Sequence, residues 1–200
     1  MKTLSIGLTG SIGSGKTFIS KVFSQMGIPV FNADKEAKKL YMIPQVQADL
    51  ERMFSQKLFH KNILDKDKLS QIIFNDKNKL IQLNNYIHPL VKQEYEKFVC
   101  YNTTLHFPYV VTESAIIFES KWQNLFDKII CIDTPIELII ERTIKRDNST
   151  KETVLKKLAN QLPIKDKISL SDYRIINDNL ALVLPQIIEI DKNIKKQSNR

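Results

Sequence analysis

The chain has 200 residues, of which 42% are hydrophobic and 26% charged, and carries a formal net charge of +8. That balance predicts a packed core, excludes the low-apolar composition of disordered chains, and gives room for one α/β domain with insertions. The longest apolar runs, Ile129 to Ile132 and Leu180 to Leu184, are far shorter than the ~20 residues of a membrane span.

Met1 leads almost directly into a strand-like segment, with no basic leader, apolar stretch or small-residue cleavage site, so a cytoplasmic location is expected. Glycine is scarce: four of the five, Gly7, Gly10, Gly13 and Gly15, fall within nine positions. Leu4 to Leu8 precedes them as a strand. Phe18, Ile19, Val22, Phe23 and Met26 follow at helical spacing, with Gly27 as a left-handed stop. The unit is strand, glycine loop, helix. Ile28 to Phe31 reads as a second strand, ending at Asn32-Ala33-Asp34.

From Lys35 to about Tyr101 the pattern is helical, with Val46, Leu50, Met53 and Phe54, then Val91, Tyr95 and Phe98, punctuated by Pro44 and Pro89. Tyr109 to Thr112 and Lys128 to Ile132 are continuous apolar runs of the kind found in parallel sheets covered on both faces. Cys100 and Cys131, each in an apolar segment, read as buried thiols. Thr134-Pro135-Ile136-Glu137 and Ser149-Thr150-Lys151-Glu152 carry capping-box patterns and predict two helix starts. Tyr173 to Ile176 predicts the last strand, and Val183, Ile187, Ile190 and Ile194 mark one face of a final helix.

Charge is uneven. Glu141 to Lys167 holds eight Lys/Arg against four Asp/Glu, and Lys192 to Arg200 holds four bases and no acid. The first patch suits a polyphosphate ligand. It has no aromatic residue to stack on nucleobases, which argues against nucleic acid. The tail from Lys195 reads as a frayed, solvated end.

Gly10-Ser11-Ile12-Gly13-Ser14-Gly15-Lys16-Thr17 fits the P-loop pattern in full, between a strand and a helix. Glycines let the backbone fold around phosphate oxygens with amides pointing inward, and the helix N-terminus adds partial positive charge. Ser11 to Thr17 are therefore the expected nucleotide-binding residues, with Lys16 on the β- and γ-phosphates and Thr17 on Mg²⁺. Glu113, closing a strand parallel to the first, is a second candidate for the metal. Arg142 and Arg146 lie four apart, on one helix face, and guanidinium groups grip phosphate oxygens bidentately. Asp34, just beyond a strand near the loop, is placed to orient a hydroxyl or to cap a helix. Neither an Asn-Lys-x-Asp guanine motif nor an Asp-x-x-Gly switch occurs. A kinase for a small acceptor, a nucleoside monophosphate among the candidates, and a non-catalytic nucleotide binder both remain open on these residues.

Further marks recur in order: Gly27 to Asp34, His88-Pro89, Ile116-Ile117-Phe118-Glu119, Arg142, Arg146-Asp147, Gln161, Asp172 and Asn177. Together with the loop they resemble the dephospho-CoA kinase family, within the nucleoside monophosphate kinase-like class of P-loop kinases. The resemblance implies a P-loop-type three-layer α/β/α domain with a parallel sheet. Its core would span about 1–34, 106–140 and 170–200, its helical acceptor-binding insertion about 35–105, and its lid about 141–169. It implies ATP, Mg²⁺ and dephospho-CoA as ligands and Asp34 as base for the ribose 3′-hydroxyl. His88 and Glu119 would lie beside the acceptor and Asn177 beside the adenine. Ser11, Phe18, Ala115 and Asn179 depart from the family pattern without removing a reacting group, while Asn32 replaces the first acid of the family's Asp-Ala-Asp, a change that bears on magnesium or acceptor binding.

Overall fold

The computed structural model describes residues 3–74 and 76–198. Its elements run β1 (Leu4–Gly10), α1 (Lys16–Gln25), β2 (Val30–Asn32), α2 (Ala33–Leu40), α3 (Pro44–Phe54), β3 (Phe59–His60), β4 (Ile63–Leu64), α4 (Lys66–Phe74) and α5 (Lys77–Thr104). There follow β5 (Tyr109–Glu113), a 3₁₀ turn at Gln123–Leu125, β6 (Lys128–Asp133), α6 (Ile136–Asp147), α7 (Lys151–Ala159), α8 (Ile164–Ser169), β7 (Tyr173–Ile176) and α9 (Val183–Ser198). They form two compact units, one of Met1–Asn32 with Phe98–Arg200, the other of Ala33–Lys97.

The first unit is built on a five-stranded sheet in the order β2-β5-β1-β6-β7. Every neighbouring pair is parallel. Ile6 and Leu8 of β1, Tyr109 and Val111 of β5, and Ile130 and Ile132 of β6 share one face, packed with Ile19 and Phe23 of α1 and Ile187, Ile190 and Ile194 of α9. Each fully buried isoleucine or leucine contributes on the order of 2 kcal/mol. The opposite face is covered by α8 against β1 and β6. Phe98 of α5 covers it at Phe31, with ring centroids 5.4 Å apart. Covering on both faces is why the strands read as unbroken apolar runs, and the result is the three-layer α/β/α arrangement of P-loop kinases.

Parallel strands bring their C-terminal ends to one edge. Gly10, Asn32, Glu113, Thr134 and Asn177 all lie at or just beyond those ends. In open parallel sheets that edge is where ligands bind.

The second unit differs from an all-helical insertion. Between α3 and α4 the chain makes a two-stranded hairpin, β3 with β4, whose loop residues Lys61 and Asn62 have φ of 49° and 64°. Two consecutive left-handed residues make a type I′ turn, usually signalled by Asn-Gly; Lys-Asn gives little hint of it. Glu51 launches the hairpin by accepting the amides of Leu58 (2.8 Å) and Phe59 (3.0 Å), bonds that hold its carboxyl below the usual range. Pro89 does not break α5. A mid-helix proline costs about 3 kcal/mol, but Leu83, Ile87, Val91 and Tyr95 bury one continuous stripe on both sides of it.

Four local expectations are corrected. Cys100 is exposed, on the solvent side of α5, while Cys131 is buried. Thr134 does not cap α6, whose N-cap is Pro135; its hydroxyl turns instead to the glycine loop. The cap of α7 is Thr150, accepting from the Thr153 amide, one residue after the expected Ser149. The tail is helical through Ser198, with Lys195 paired to Asp191 (2.9 Å) and Ser198 buried. Of the expected frayed end, only Asn199 and Arg200 lie outside the described residues.

Candidate active site

The loop between β1 and α1 is held from inside and outside. Lys16, buried beneath it, donates to the main-chain oxygens of Gly10 (3.1 Å) and Ser11 (2.8 Å), and the Ser14 amide also donates to Ser11 (3.1 Å). Gly13 and Gly15 have φ of 75° and 95°. A Cβ on Gly13 would sit 2.3 Å from the Thr143 hydroxyl, and one on Gly15 2.4 Å from the Asn177 amide nitrogen. Both positions strain any side chain on backbone grounds, and Gly13 has no space for one either, since the Ile139 carbonyl would lie 2.9 Å from its Cβ.

Two donors meet on the carbonyl of Ser14: the Thr134 hydroxyl at 3.1 Å and Asn177 Nδ2 at 2.8 Å. In a planar trans peptide the carbonyl and the next amide point opposite ways, so pinning this oxygen aims the Gly15 amide inward. The first amides of α1 lack intrahelical acceptors and add the positive end of its dipole. The loop is thereby an anion cradle.

Beside it stands Glu113, with 4% of its surface exposed. Its Oε1 accepts from the Thr17 hydroxyl (2.6 Å), and its Oε2 from the Ser20 hydroxyl (2.7 Å) and Asn32 Nδ2 (2.7 Å). Sheet register explains the last contact: Asn32 and Glu113 are direct neighbours on β2 and β5. The Thr17 hydroxyl and this carboxylate are hard oxygens of the type a magnesium ion takes. Among the described residues no group of three or more His, Cys, Asp or Glu could hold a metal.

Arg142 and Arg146 share α6, whose Ile139 and Thr143 lie against Gly13. Arg142 donates to the side-chain oxygen of Asn179, a residue in the left-handed region at φ 69°. Arg146 forks onto Asp147 (2.7 and 3.0 Å), raising its own pKa and holding that carboxyl below its usual range. The pair is exposed and adds little stability.

Glu119 makes an ion pair with the fully buried Lys167 (2.8 Å) and accepts the Leu162 amide (2.8 Å), tying residues 115–119 to the end of the basic segment. Next to Asn177, a groove of about 600 Å³ is lined by Phe18, Val22, Asn179, Leu180 and Pro185 among others. Phe18 and Leu180 are exposed, 61% and 88%. Sequence periodicity counts Phe18 on the core face of α1, and its exposure beside the loop marks the groove instead.

Within this unit the structure brings together Ser11 to Thr17, Glu113, Asn177 and the helix bearing both arginines. Asp34 and His88 belong to the other unit. Asp34 is exposed in the first turn of α2, which starts at Ala33, so it is not an N-cap. His88 is half-buried on α5, and burial lowers its pKa. Thr134 and Ser20 are contributors that sequence reasoning missed, and Gln161, one of the marks of the resemblance, accepts the Ile12 amide (2.9 Å), a contact its sequence position did not announce. Thr134 was masked by its resemblance to a cap, and Ser20, one turn beyond Thr17, could have been found as the next position on the same helix face.

The dephospho-CoA kinase family model matches residues 4–182. A dephospho-CoA kinase from Leptospira interrogans is 38% identical over 179 residues, covering 88% of this chain and 85% of that protein. The structure of a dephospho-CoA kinase from Campylobacter jejuni superposes with a TM-score of 0.73 at 28% identity, over 96% of this chain and 98% of that one. A Thermus thermophilus structure shares the fold with a TM-score of 0.82, 24% identity and 98% coverage of each chain. On the match of the family model over residues 4–182 and the 38% identity to the Leptospira enzyme, the chain belongs to the dephospho-CoA kinase family.

Proposed function

We propose that this kinase transfers the γ-phosphoryl group of ATP to the ribose 3′-hydroxyl of dephospho-CoA, giving coenzyme A and ADP. The observation that carries the reading is the buried Glu113, gripped by Thr17, Ser20 and Asn32 beside a pinned phosphate loop, in a chain matched to the family over residues 4–182. The Ser11 to Thr17 loop and the Lys16 ammonium bind the β- and γ-phosphates, and the apolar groove at Phe18 and Leu180 takes the adenine. Thr17 and Glu113 would hold Mg²⁺, Glu113 through a water. Bound there, the ion would supply charge neutralisation at the phosphates.

Asp34 aligns the acceptor hydroxyl and takes its proton as the bond from the 3′-oxygen to phosphorus forms and the bond to the bridging oxygen breaks. Such a base contributes roughly 10²–10⁴ in rate. Arginines at the transferring group contribute roughly 10³–10⁵, so charge neutralisation by Arg142 and Arg146 outweighs proton abstraction. Arg146 must then exchange Asp147 for phosphate oxygens when the segment of about 141–169 closes as a lid. His88 and the rest of the 33–97 unit serve the acceptor, while Glu119 acts through its hold on Lys167 and Leu162. Two free thiols fit the reducing cytoplasm, where we place the reaction. A steady-state assay of ADP release over an acceptor panel tests the proposal. Turnover with dephospho-CoA is expected; turnover with CMP or UMP and none with dephospho-CoA would overturn it.

A further inference from the structure

The peptide joining Ser11 to Ile12 is gripped across its plane. On one side its carbonyl accepts the Lys16 ammonium at 2.8 Å; on the other its amide donates to Gln161 Oε1 at 2.9 Å. Gln161 sits 149 residues further on, in the short connection between α7 and α8. Its position is itself secured. The next residue, Leu162, donates to Glu119 (2.8 Å), and Lys167 spans Glu119 (2.8 Å) and the carbonyl of Ala115 (2.7 Å) from a side chain with no solvent exposure. Gln161 Nε2 lies 3.5 Å from that same carbonyl, a long contact that orients the amide weakly.

We propose that Gln161 is a positioning residue for the phosphate loop, linking the seating of the basic 141–169 segment to the shape of the loop's first turn. The argument is geometric. A peptide held at its oxygen alone can rotate about its flanking ψ and φ; one held at both oxygen and amide cannot without breaking a bond. The Ser11 carbonyl is also, with that of Gly10, an oxygen that holds Lys16. A flipped Ser11–Ile12 peptide would remove an acceptor from the ammonium that serves the phosphates. Gln161 thus reaches the nucleotide through Ile12, Ser11 and Lys16 without touching it. The inference rests on the loop being the ATP site, and its first readout is independent of catalysis.

The experiment compares the native chain with Gln161→Leu, which removes the acceptor, and Gln161→Glu, which keeps an acceptor oxygen. Amide exchange at Ile12 is followed by NMR, and KM for ATP, KM for dephospho-CoA and kcat are measured. One backbone hydrogen bond corresponds to roughly a 3- to 12-fold change. Gln161→Leu should speed Ile12 exchange and raise KM for ATP by about that factor, with KM for dephospho-CoA within twofold of native. Gln161→Glu should retain Ile12 protection. Unchanged Ile12 exchange in Gln161→Leu with ATP KM within about twofold of native would overturn the proposal. If Gln161→Leu does not fold, Gln161→Glu decides: a protected Ile12 amide supports the link, and loss of protection in a folded Gln161→Glu chain overturns it. Faster exchange at Ile12 with no turnover of any acceptor by the native chain would leave the link standing and defeat the proposed reaction.

Discussion

Asn177 holds Ser14: its side-chain amide, just past the end of β7, donates over 2.8 Å to the main-chain oxygen in the middle of the phosphate loop. Thr134, just past β6, donates to the same oxygen over 3.1 Å. Two strand ends thus set the direction of one peptide, and the peptide sets the direction of the Gly15 amide.

Removing either donor should loosen the cradle without removing a reacting group. Asn177→Ala is expected to raise KM for ATP by about 3- to 10-fold, one hydrogen bond's worth, with a smaller effect on kcat. Asn177→Asp should be worse, since a carboxylate would face the Ser14 carbonyl and the phosphates together. Because both donors serve one oxygen, Asn177→Ala and Thr134→Val should not add; a double-mutant cycle on KM for ATP checks this.

Lys16 and Asp34 should fail differently. Lys16→Ala removes the ammonium at the β- and γ-phosphates and should abolish turnover. Asp34→Asn should lower kcat by about 10²-fold or more while leaving KM for ATP near native, because the base acts on the acceptor. Initial rates over a grid of both substrates separate the two; a native kcat in Asp34→Asn would take the base out of the mechanism.

Much of the site was legible because its chemistry is local in sequence. The eight residues from Gly10 to Thr17 carry both the glycine geometry and the Lys16 and Thr17 side chains, and the apolar runs at Tyr109 to Thr112 and Lys128 to Ile132 announce a parallel sheet. What stayed illegible is what depends on register and long-range contact. Nothing near Asn32 says that it lies beside Glu113, 81 residues away. Nothing near Thr134 tells a helix cap from a donor to Ser14, 120 residues away. The hairpin at 59–64 escaped because Lys61-Asn62 reaches the left-handed region without a glycine. Pro89 misled for the opposite reason: a strong local signal is overruled by the buried stripe on α5.

Glu113 is saturated by Thr17, Ser20 and Asn32, all of them donors. Glu113→Gln keeps the shape but presents an NH₂ to at least one donor and halves the acceptor capacity. The Mg²⁺ concentration giving half-maximal rate should rise about 10- to 100-fold, the usual cost of losing an orienting group around a metal. A magnesium titration of the rate at saturating ATP provides the check. An unchanged midpoint would detach Glu113 from the ion.

Lys167 should matter to stability more than to chemistry. Lys167→Met preserves most of the aliphatic stem but leaves Ala115 O and Glu119 short of a donor, in surroundings where the lysine had no exposure. Breaking one side of a buried pair costs about 3–5 kcal/mol, and in a chain of this size each kcal/mol moves Tm by about 2–4 °C. A fall of about 6–20 °C in thermal denaturation is expected. A change of about 1 °C or less would mean that Glu119 and Leu162 suffice to hold the segment.

His88 supplies the pH dependence. Burial on α5 disfavours its charged form and lowers its pKa from 6.5 in the folded chain. Between that lowered value and 6.5 the unfolded chain binds more protons than the folded one at this residue, so stability rises with pH through the window and falls on acidification. The His88 contribution is therefore fully present above 6.5 and lost progressively below it. His88→Gln removes the titrating group while keeping hydrogen-bonding capacity. Thermal denaturation at intervals from pH 5 to pH 8 should show the native chain losing stability towards pH 5 more steeply than His88→Gln, with the two curves parallel above pH 7. Parallel curves across the whole range would mean that His88 titrates alike in both states, and that burial at this point of α5 imposes no charge penalty.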